Sequence, residues 1–596
     1  MTVERIFDLL PRYAKIMDPK DDVVCGKEDG EWRKYNISEY IEIVNNISYG
    51  FLKLGVEKGQ KIATITNNCP EWNFLDMAIQ QVGAIHVPIY PTISESDYEY
   101  ILNHGEVIYV FVAGEDLYRK IKNVLPNLNS LRDIYTLKSL HDIKHLDELI
   151  ELGKANPNSD RLEEIKSSIT ADDLATLIYT SGTTGEPKGV MLTHDNIISN
   201  VHAIQYVSPV GQEGKAISYL PLSHVYERTL NYLYQYLGIS IYYAENLGKI
   251  VDNIQEIKPE IMGTVPRLLE KVYDKILAKG RKLTGLKKNI FFWAVNLGLK
   301  YEINNANGWI YKLHLKIANK LIFSKWREAM GGNFQAIVSG GAALQPRLAR
   351  AFWAAEIPVL EGYGLTETSP VLAVNTFEEN GLCFGTVGPV IEGVEIKIGE
   401  DGEILAKGPN IMKGYYKQPE LTTEVLNKDG YFHTGDIGLI TEAGHLKITG
   451  RKKEIFKTSM GKYISPQLIE NKFKESPFID QIAVIGENQK FAAALVVPDF
   501  NHLKSFCTLK NIEYISDADI VKNPEIKKRI HQEIEKFNKT FGDTEKIKKF
   551  ELIDHEWSVE TGELTASLKM RRRLIYEKYE DLINKIFNIV PTLEAV

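Results

Sequence analysis

Between Lys61 and Val112 short apolar runs alternate with helical patterns: a run at 62–66, a helical stretch at 72–84, a run at 87–90, a second helical stretch at 98–104 and a run at 107–112. Strands separated by helices are the signature of βαβ units, and these units build parallel sheets. Two later runs, 174–179 and 334–338, each lead into a glycine-rich stretch. Ligands collect at the carboxyl ends of such strands. After about Gly385 the period changes. Runs at 394–398 and 403–406 flank Asp401-Gly402, and runs at 437–440 and 445–448 flank Gly444, so antiparallel hairpins are expected there. Beyond Gly450 come a helix at 466–474, strands at 482–485 and 492–497, and Lys- and Glu-rich helices up to Phe541.

A chain of 596 residues exceeds what one hydrophobic core organises. The expected division is a large α/β N-terminal unit at 1–450, with parallel-rich sheets, flanking helices and a β-rich subdomain, followed by a small α+β unit at 451–596. Apolar residues make up 44% of the chain, enough for both cores without cross-links. A formal net charge of -8 argues against nucleic acid as the partner. Cys25, Cys69, Cys383 and Cys507 form no CxxC or Cys/His grouping, so neither zinc nor a disulfide framework is suggested, and a reducing cytoplasm fits.

No apolar run reaches the roughly 18 residues that a bilayer span needs, so any membrane contact would be peripheral. One segment invites it. From Lys271 to Met330 there are 13 Lys or Arg residues against Asp274, Glu302 and Glu328, interleaved with Phe291, Phe292, Trp293, Trp309, Tyr311, Leu313 and Trp326. A basic helical segment with aromatics suits an anionic membrane surface. A helical pair packed on the main unit, its lysines in water, accounts for the same pattern.

The stretch from Tyr179 to Gly189 carries the chemistry of anion binding. Ser181, Thr183 and Thr184 offer hydroxyl donors, Gly182, Gly185 and Gly189 let backbone N–H groups approach an anion, and Lys188 adds charge. A nucleotide triphosphate is the first ligand to consider, although the spacing is not that of a Walker loop, because Pro187 precedes the lysine and Gly189 follows it. Four further segments stand out: Glu361-Gly362-Tyr363-Gly364-Leu365-Thr366-Glu367; Tyr431 to Asp436, which puts an acid just after a glycine bend; Gly450-Arg451-Lys452-Lys453-Glu454, a basic turn at the boundary; and Gly562 to Arg571.

In order and spacing these five segments resemble the signatures of the adenylate-forming superfamily, which includes acyl-CoA synthetases, firefly luciferase and the adenylation domains of peptide synthetases. The likeness spans nearly the whole chain. Leu220 to Arg228, Gly450 to Lys457 and the long helical insertion look most like long-chain fatty acyl-CoA synthetases.

The resemblance implies ATP, Mg²⁺ and coenzyme A, with a fatty acid as the acid substrate. Thr180, Ser181, Gly182, Thr183, Thr184, Gly185 and Lys188 would hold the β- and γ-phosphates. Gly340, Gly341 and Ala342 would line the adenine, with Tyr363 stacked on it within Glu361-Gly362-Tyr363-Gly364. Thr366 would touch the α-phosphate, and Glu367, with Thr184, would hold Mg²⁺. Asp436 would accept the ribose hydroxyls, and Arg451 would add a second contact. Lys569 matches the catalytic lysine, although Leu568 stands where other branches carry Gly. His224 would lie beside the acyl carboxylate. Lys453 matches the hinge about which the small domain swings, bringing Lys457 and Gly461 to the coenzyme A channel. Tyr226, Arg228, Val338 and Ser339 are candidate walls for the acyl group. Ligases for medium-chain or aryl acids, an acyl-AMP ligase that loads a carrier protein, and a non-catalytic nucleotide-binding scaffold are the rival expectations.

Overall fold

The computed structural model describes residues 2–180, 186–304, 306–558, 560–565 and 570–588. Two large sheets dominate it. In the first, seven strands run in the order Gly414–Tyr415, Lys188–Thr193, Leu174–Thr180, Ile85–Ile89, Lys61–Ile65, Val107–Val112, Asp133–Thr136. The strands at 61, 85, 107, 133 and 174 are parallel, as the alternating pattern requires, and Lys188–Thr193 folds back antiparallel on Leu174–Thr180. Helices Pro70–Gln81 and Glu95–His104 supply the crossovers. In the second sheet eight strands run Val371–Val374, Val359–Gly364, Ala336–Ser339, Ile261–Thr264, Lys215–Ser218, Ser240–Tyr243, Val24–Glu28, Glu31–Tyr35.

The expected hairpins form a four-stranded antiparallel sheet of Glu395–Ile398, Glu403–Lys407, Phe432–Ile440 and Leu446–Arg451. Gly450 and Arg451 end a strand and do not form the expected turn, which begins one residue later. The chain from Phe456 to Ile586 gathers its own hydrophobic core around the sheet Ile479–Ile485, Ala493–Pro498, Lys549–Leu552.

The basic segment departs from the expected helical pair. Its helices are Pro266–Arg281, Gly285–Gly298, Gly308–Ala318 and Ser324–Ala329, with a π turn at Asn319–Phe323. The buried Asn319 accounts for the π turn. Its amide donates to Leu315 O and Ala354 O, and its carbonyl accepts from Arg327, so its side chain competes with the regular helical ladder. Phe323 and Trp326 are core residues, whereas Trp309 faces outward. Among the described residues no helix is long and apolar enough to cross a membrane.

A buried ion network underlies the large unit. Arg228, on helix Val225–Leu237, donates to Asp76 Oδ1 at 2.5 Å, to the Thr176 hydroxyl at 2.7 Å and to the Tyr232 hydroxyl at 2.6 Å. Tyr232 in turn donates to Asp76 Oδ2 at 2.6 Å, and His86 Nδ1 lies 2.6 Å from Asp76 Oδ1. Burial works against the Asp76 carboxylate, but Arg228 and the His86 and Tyr232 contacts outweigh it and hold its pKa well below the usual range. Arg228 is therefore a fastener between helix and sheet and not an acyl-pocket wall. Ser339 is likewise sealed in the core.

Candidate active site

A cavity of about 1170 Å³ opens at the carboxyl ends of strands from both large sheets. Tyr90, Tyr179 and Thr180 reach it from the first sheet; Val338, Gly340, Gly362, Tyr363 and Gly364 reach it from the second. The small unit closes over the same space with Glu560, Leu564, Thr565 and Arg571, and Lys452, Lys453 and Glu454 line the seam.

One end of the cavity is built for negative charge. Thr180 and Lys188 are cross-strand partners, which makes them the two ends of the segment joining those strands. Within it, Ser181, Gly182, Thr183, Thr184 and Gly185 lie outside the described residues, as do Ala566, Ser567, Leu568 and Lys569. Lys188 Nζ sits 5.3 Å from the centre of the Tyr415 ring. Burial first, and then the nearby Lys453 ammonium, lower the Lys188 pKa, against the pull of Glu367 and Glu424. Two cations lining one cavity suit a polyanion. Glu367 projects from the short 3₁₀ turn Thr366–Thr368, where its Oε1 accepts the Tyr415 hydroxyl at 2.9 Å. Thr366 lines the cavity beside it.

Another end is aromatic. Tyr363 ends strand Val359–Gly364, and its hydroxyl donates to Asp436 Oδ2 at 2.7 Å. Arg451 Nε donates to Asp436 Oδ1 at 2.9 Å from the neighbouring strand. Asp436 thus sits within strand Phe432–Ile440 and not at the expected bend, only 4% exposed and with both oxygens engaged. Tyr363, Thr434, Gly435 and Arg451 form the surface above it. Gly364 is required by packing: a Cβ there would lie 1.7 Å from Pro370 O.

Four other expected ligand contacts fall elsewhere. Ala342 is exposed and is not among the lining residues, unlike Gly340 and Gly341. Glu361 is buried behind the site; its carboxylate accepts from Leu344 N–H, and burial pushes its pKa up to about 8, so it braces the backbone near 344. Lys457 and Gly461 lie on the exposed hairpin Phe456–Lys457/Tyr463–Ile464 and do not reach the cavity in this arrangement.

The third limb is apolar. His224 caps helix Val225–Leu237, its Nδ1 accepting the Tyr226 N–H at 3.1 Å, which leaves the proton of a neutral ring on Nε2. From His224 the cavity wall passes along Tyr226, Leu230 and Leu233, a distance of roughly 14 Å at 1.5 Å per helical residue. Val338, Ala336 and Ile261 face it from the sheet, and Ile204 and Val207 extend it. Tyr226 is fixed by donating its hydroxyl to Val338 O at 2.8 Å, and Gly340 leaves room for the ring, since a Cβ would lie 3.1 Å from it.

The chemistry of the seam changes owner within three residues. Lys452 pairs with Asp401 at 2.7 Å, in a turn of the four-stranded sheet, and with Glu403 at 2.8 Å, in one of its strands. Glu454 pairs instead with Arg572 at 3.1 Å, which also holds Glu470 at 2.6 Å. A second link across the seam joins Arg267 to both oxygens of Asp480 at 2.7 Å.

Tyr415, Glu403 and Thr434 escaped the sequence reading. For Tyr415 the available signal was Gly414-Tyr415-Tyr416, a glycine before two aromatics, but nothing local ties it to Lys188 or Glu367.

The family model for AMP-binding enzymes matches residues 15–416, and the model for the AMP-binding enzyme C-terminal domain matches 453–590. A long-chain-fatty-acid–CoA ligase of Mycobacterium bovis is 31% identical over 566 residues, 94% of this chain and 93% of that protein. Fatty acyl-CoA synthetase A of Dictyostelium discoideum is 32% identical over 607 residues, 95% of this chain and 87% of its own. Among solved structures, the adenylation domain of a carboxylate reductase from Mycobacterium chelonae superposes with a TM-score of 0.77 at 20% identity, covering 98% of this chain and 91% of that one. An anthranilate CoA ligase in complex with anthranoyl-AMP gives 0.72 at 18% identity, covering 96% and 97%. These two likenesses speak to the fold. The sequence matches go further, and by them this chain belongs to the AMP-binding enzyme family.

Proposed function

We propose that the protein joins a long-chain fatty acid to coenzyme A in two steps driven by ATP. In the first, a carboxylate oxygen attacks the α-phosphorus, the bond to the β-phosphate oxygen breaks, and acyl-adenylate and pyrophosphate result. In the second, the coenzyme A sulfur attacks the acyl carbon, AMP leaves, and the thiol proton is lost. A carboxylate is ionised at neutral pH, so the obstacle in the first step is repulsion between anions, not a missing base. Positioning and fixed positive charge answer it.

The observation that carries this reading is a single cavity with a cationic end, an aromatic end and an apolar limb of roughly 14 Å along one helix. Thr180 and Lys188, with Ser181, Gly182, Thr183, Thr184 and Gly185, would hold the outer phosphates. Gly340, Gly341 and Tyr363 would take the adenine, and Asp436 and Arg451 the ribose. Asp436 keeps spare lone pairs beyond those used by Tyr363 and Arg451. Thr366 would contact the α-phosphate and His224 the acyl carboxylate. Lys569 would neutralise the charge that builds up at the α-phosphorus.

Mg²⁺ fits the residues present. Among the described residues no three His, Cys, Asp or Glu side chains gather as a self-sufficient metal cage, but Glu367 faces the cavity. Mg²⁺ is usually held by one or two carboxylates plus phosphate oxygens. Bound there, it would neutralise phosphate charge.

The boundary at 450/451 and a swing at Lys453 belong to the same proposal. The swing is supported by the change of ion-pair partner from Lys452 to Glu454. The swing would bring Lys457 and Gly461 to the coenzyme A thiol. Peripheral membrane contact through the basic segment and a cytoplasmic location complete the reading.

Pyrophosphate release and thioester formation with palmitate, octanoate and benzoate test it. Palmitate is expected to give the highest kcat/KM and a coenzyme A thioester. Preference for benzoate or octanoate would reassign the acid, adenylate without thioester would point to a carrier-protein ligase, and no pyrophosphate with any acid would overturn catalysis.

A further inference from the structure

Helix Gly308–Ala318 leaves one face uncovered. Trp309, Leu313, Ile317 and, in the following turn, Leu321 recur every fourth residue and are 76%, 53%, 44% and 45% exposed. That spacing puts them in one row. Ile310 beside them is 54% exposed. Lys312, Lys316 and Lys320 form a second exposed row, one residue ahead at each turn. The opposite side is the packed one: Ala318 is buried, Leu315 is partly buried, and the Tyr311 hydroxyl donates to Leu297 O at 2.8 Å. On the adjoining helix Gly285–Gly298, Trp293 meets the His314 ring edge-on at 6.0 Å, and Leu286, 74% exposed, stands next to Lys287 and Lys288.

An apolar row bordered by lysines is the face of an interfacial helix. We propose that this face docks on a bilayer bearing anionic phospholipids, with Trp309, Leu313, Ile317 and Leu321 entering the boundary between headgroups and acyl chains while Lys312, Lys316 and Lys320 meet the lipid phosphates. It deepens, and rests on, the membrane contact included in the function proposed above. Charge selects the partner. The chain carries -8 overall, yet from Gly308 to Arg327 there is no Asp or Glu. A second copy seated on this face would bring lysine row against lysine row with no acid on either helix to relieve them. An anionic surface removes that conflict, and lysine stems lie along apolar surface while their ammonium groups reach outward.

The test is sedimentation of the full chain with phosphatidylcholine vesicles, with and without phosphatidylglycerol, alongside ATP–pyrophosphate exchange on a soluble short acid and a sizing column. Wild type is expected to sediment with the phosphatidylglycerol vesicles and to be released by salt. Leu313→Ser/Ile317→Ser should lower that binding at least tenfold with exchange and melting temperature unchanged. Lys312→Gln/Lys316→Gln/Lys320→Gln should abolish the preference for phosphatidylglycerol. Wild type remaining in the supernatant with both vesicles, or the serine variant sedimenting like wild type, would overturn the proposal. A serine variant that differs only in oligomeric state would assign the face to a second copy and overturn it too. Exchange reports on the ligase and sedimentation on the surface, so failure of one leaves the other readable.

Discussion

The Tyr415 hydroxyl donates to Glu367 Oε1 at 2.9 Å, aiming the carboxylate that faces the cavity from the turn Thr366–Thr368. The same tyrosine ring lies 5.3 Å from Lys188 Nζ, so one side chain braces both an anion and a cation of the site.

Tyr415→Phe keeps the ring and loses the hydrogen bond. A hydrogen bond to a charged group is worth about 1.5–3 kcal/mol, so ATP–pyrophosphate exchange should fall by about tenfold or more, with a higher Mg²⁺ concentration needed for half-maximal rate. An unchanged Mg²⁺ titration would mean that Tyr415 does not orient the metal's carboxylate.

The buried network sets a stability prediction. Removing one partner of a buried ion pair leaves an uncompensated charge and costs about 3–5 kcal/mol. Asp76→Ala should therefore lower the urea unfolding free energy by that amount, and Asp76→Ala/Arg228→Leu by less than the single change. A loss below about 1 kcal/mol, as at exposed pairs, would show that Arg228 is solvated.

Two buried acids predict a pH dependence. Burial raises the pKa of Glu227, on helix Val225–Leu237, and of Glu361 from 4.5 to about 8, with hydrogen bonds opposing in each case. The folded state then holds protons that the unfolded state gives up. Their contribution is complete below 4.5, shrinks as pH rises through about 8, and is constant above that. The stability of wild type relative to Glu227→Gln/Glu361→Gln should fall between about pH 5 and about pH 9, by up to about 1.4 kcal/mol per unit for each acid. Parallel urea midpoints for the two proteins across that range would contradict the assignment.

Much of the framework was legible because local pattern and tertiary role agree. The run at 107–112 is strand Val107–Val112 to the residue, and the helix expected at 466–474 is Pro466–Phe473. What local pattern could not supply was who faces whom. Asp436 follows Gly435, so the sequence suggests a bend, yet cross-strand pairing with Arg451 draws it into a strand and hides it beneath Tyr363. Arg228 shares a motif with His224 and Tyr226, but the helical turn between them directs it to Asp76 on the far side. The aromatics of the basic segment divide between core and surface for the same reason: Trp326 has Phe323 at 5.0 Å, while among the described residues nothing covers the row that starts at Trp309.

The most direct measurement separates the two half-reactions in Lys569→Ala. If one nucleotide is shared between a large unit that binds it and a small unit that supplies a cation, adenylate formation from ATP and palmitate should drop by on the order of a hundredfold or more, the scale of losing one electrostatic stabiliser. Thioester formation from supplied palmitoyl-adenylate and coenzyme A should remain within a few-fold of wild type. Equal loss in both half-reactions, or no loss in the first, would contradict that division of labour.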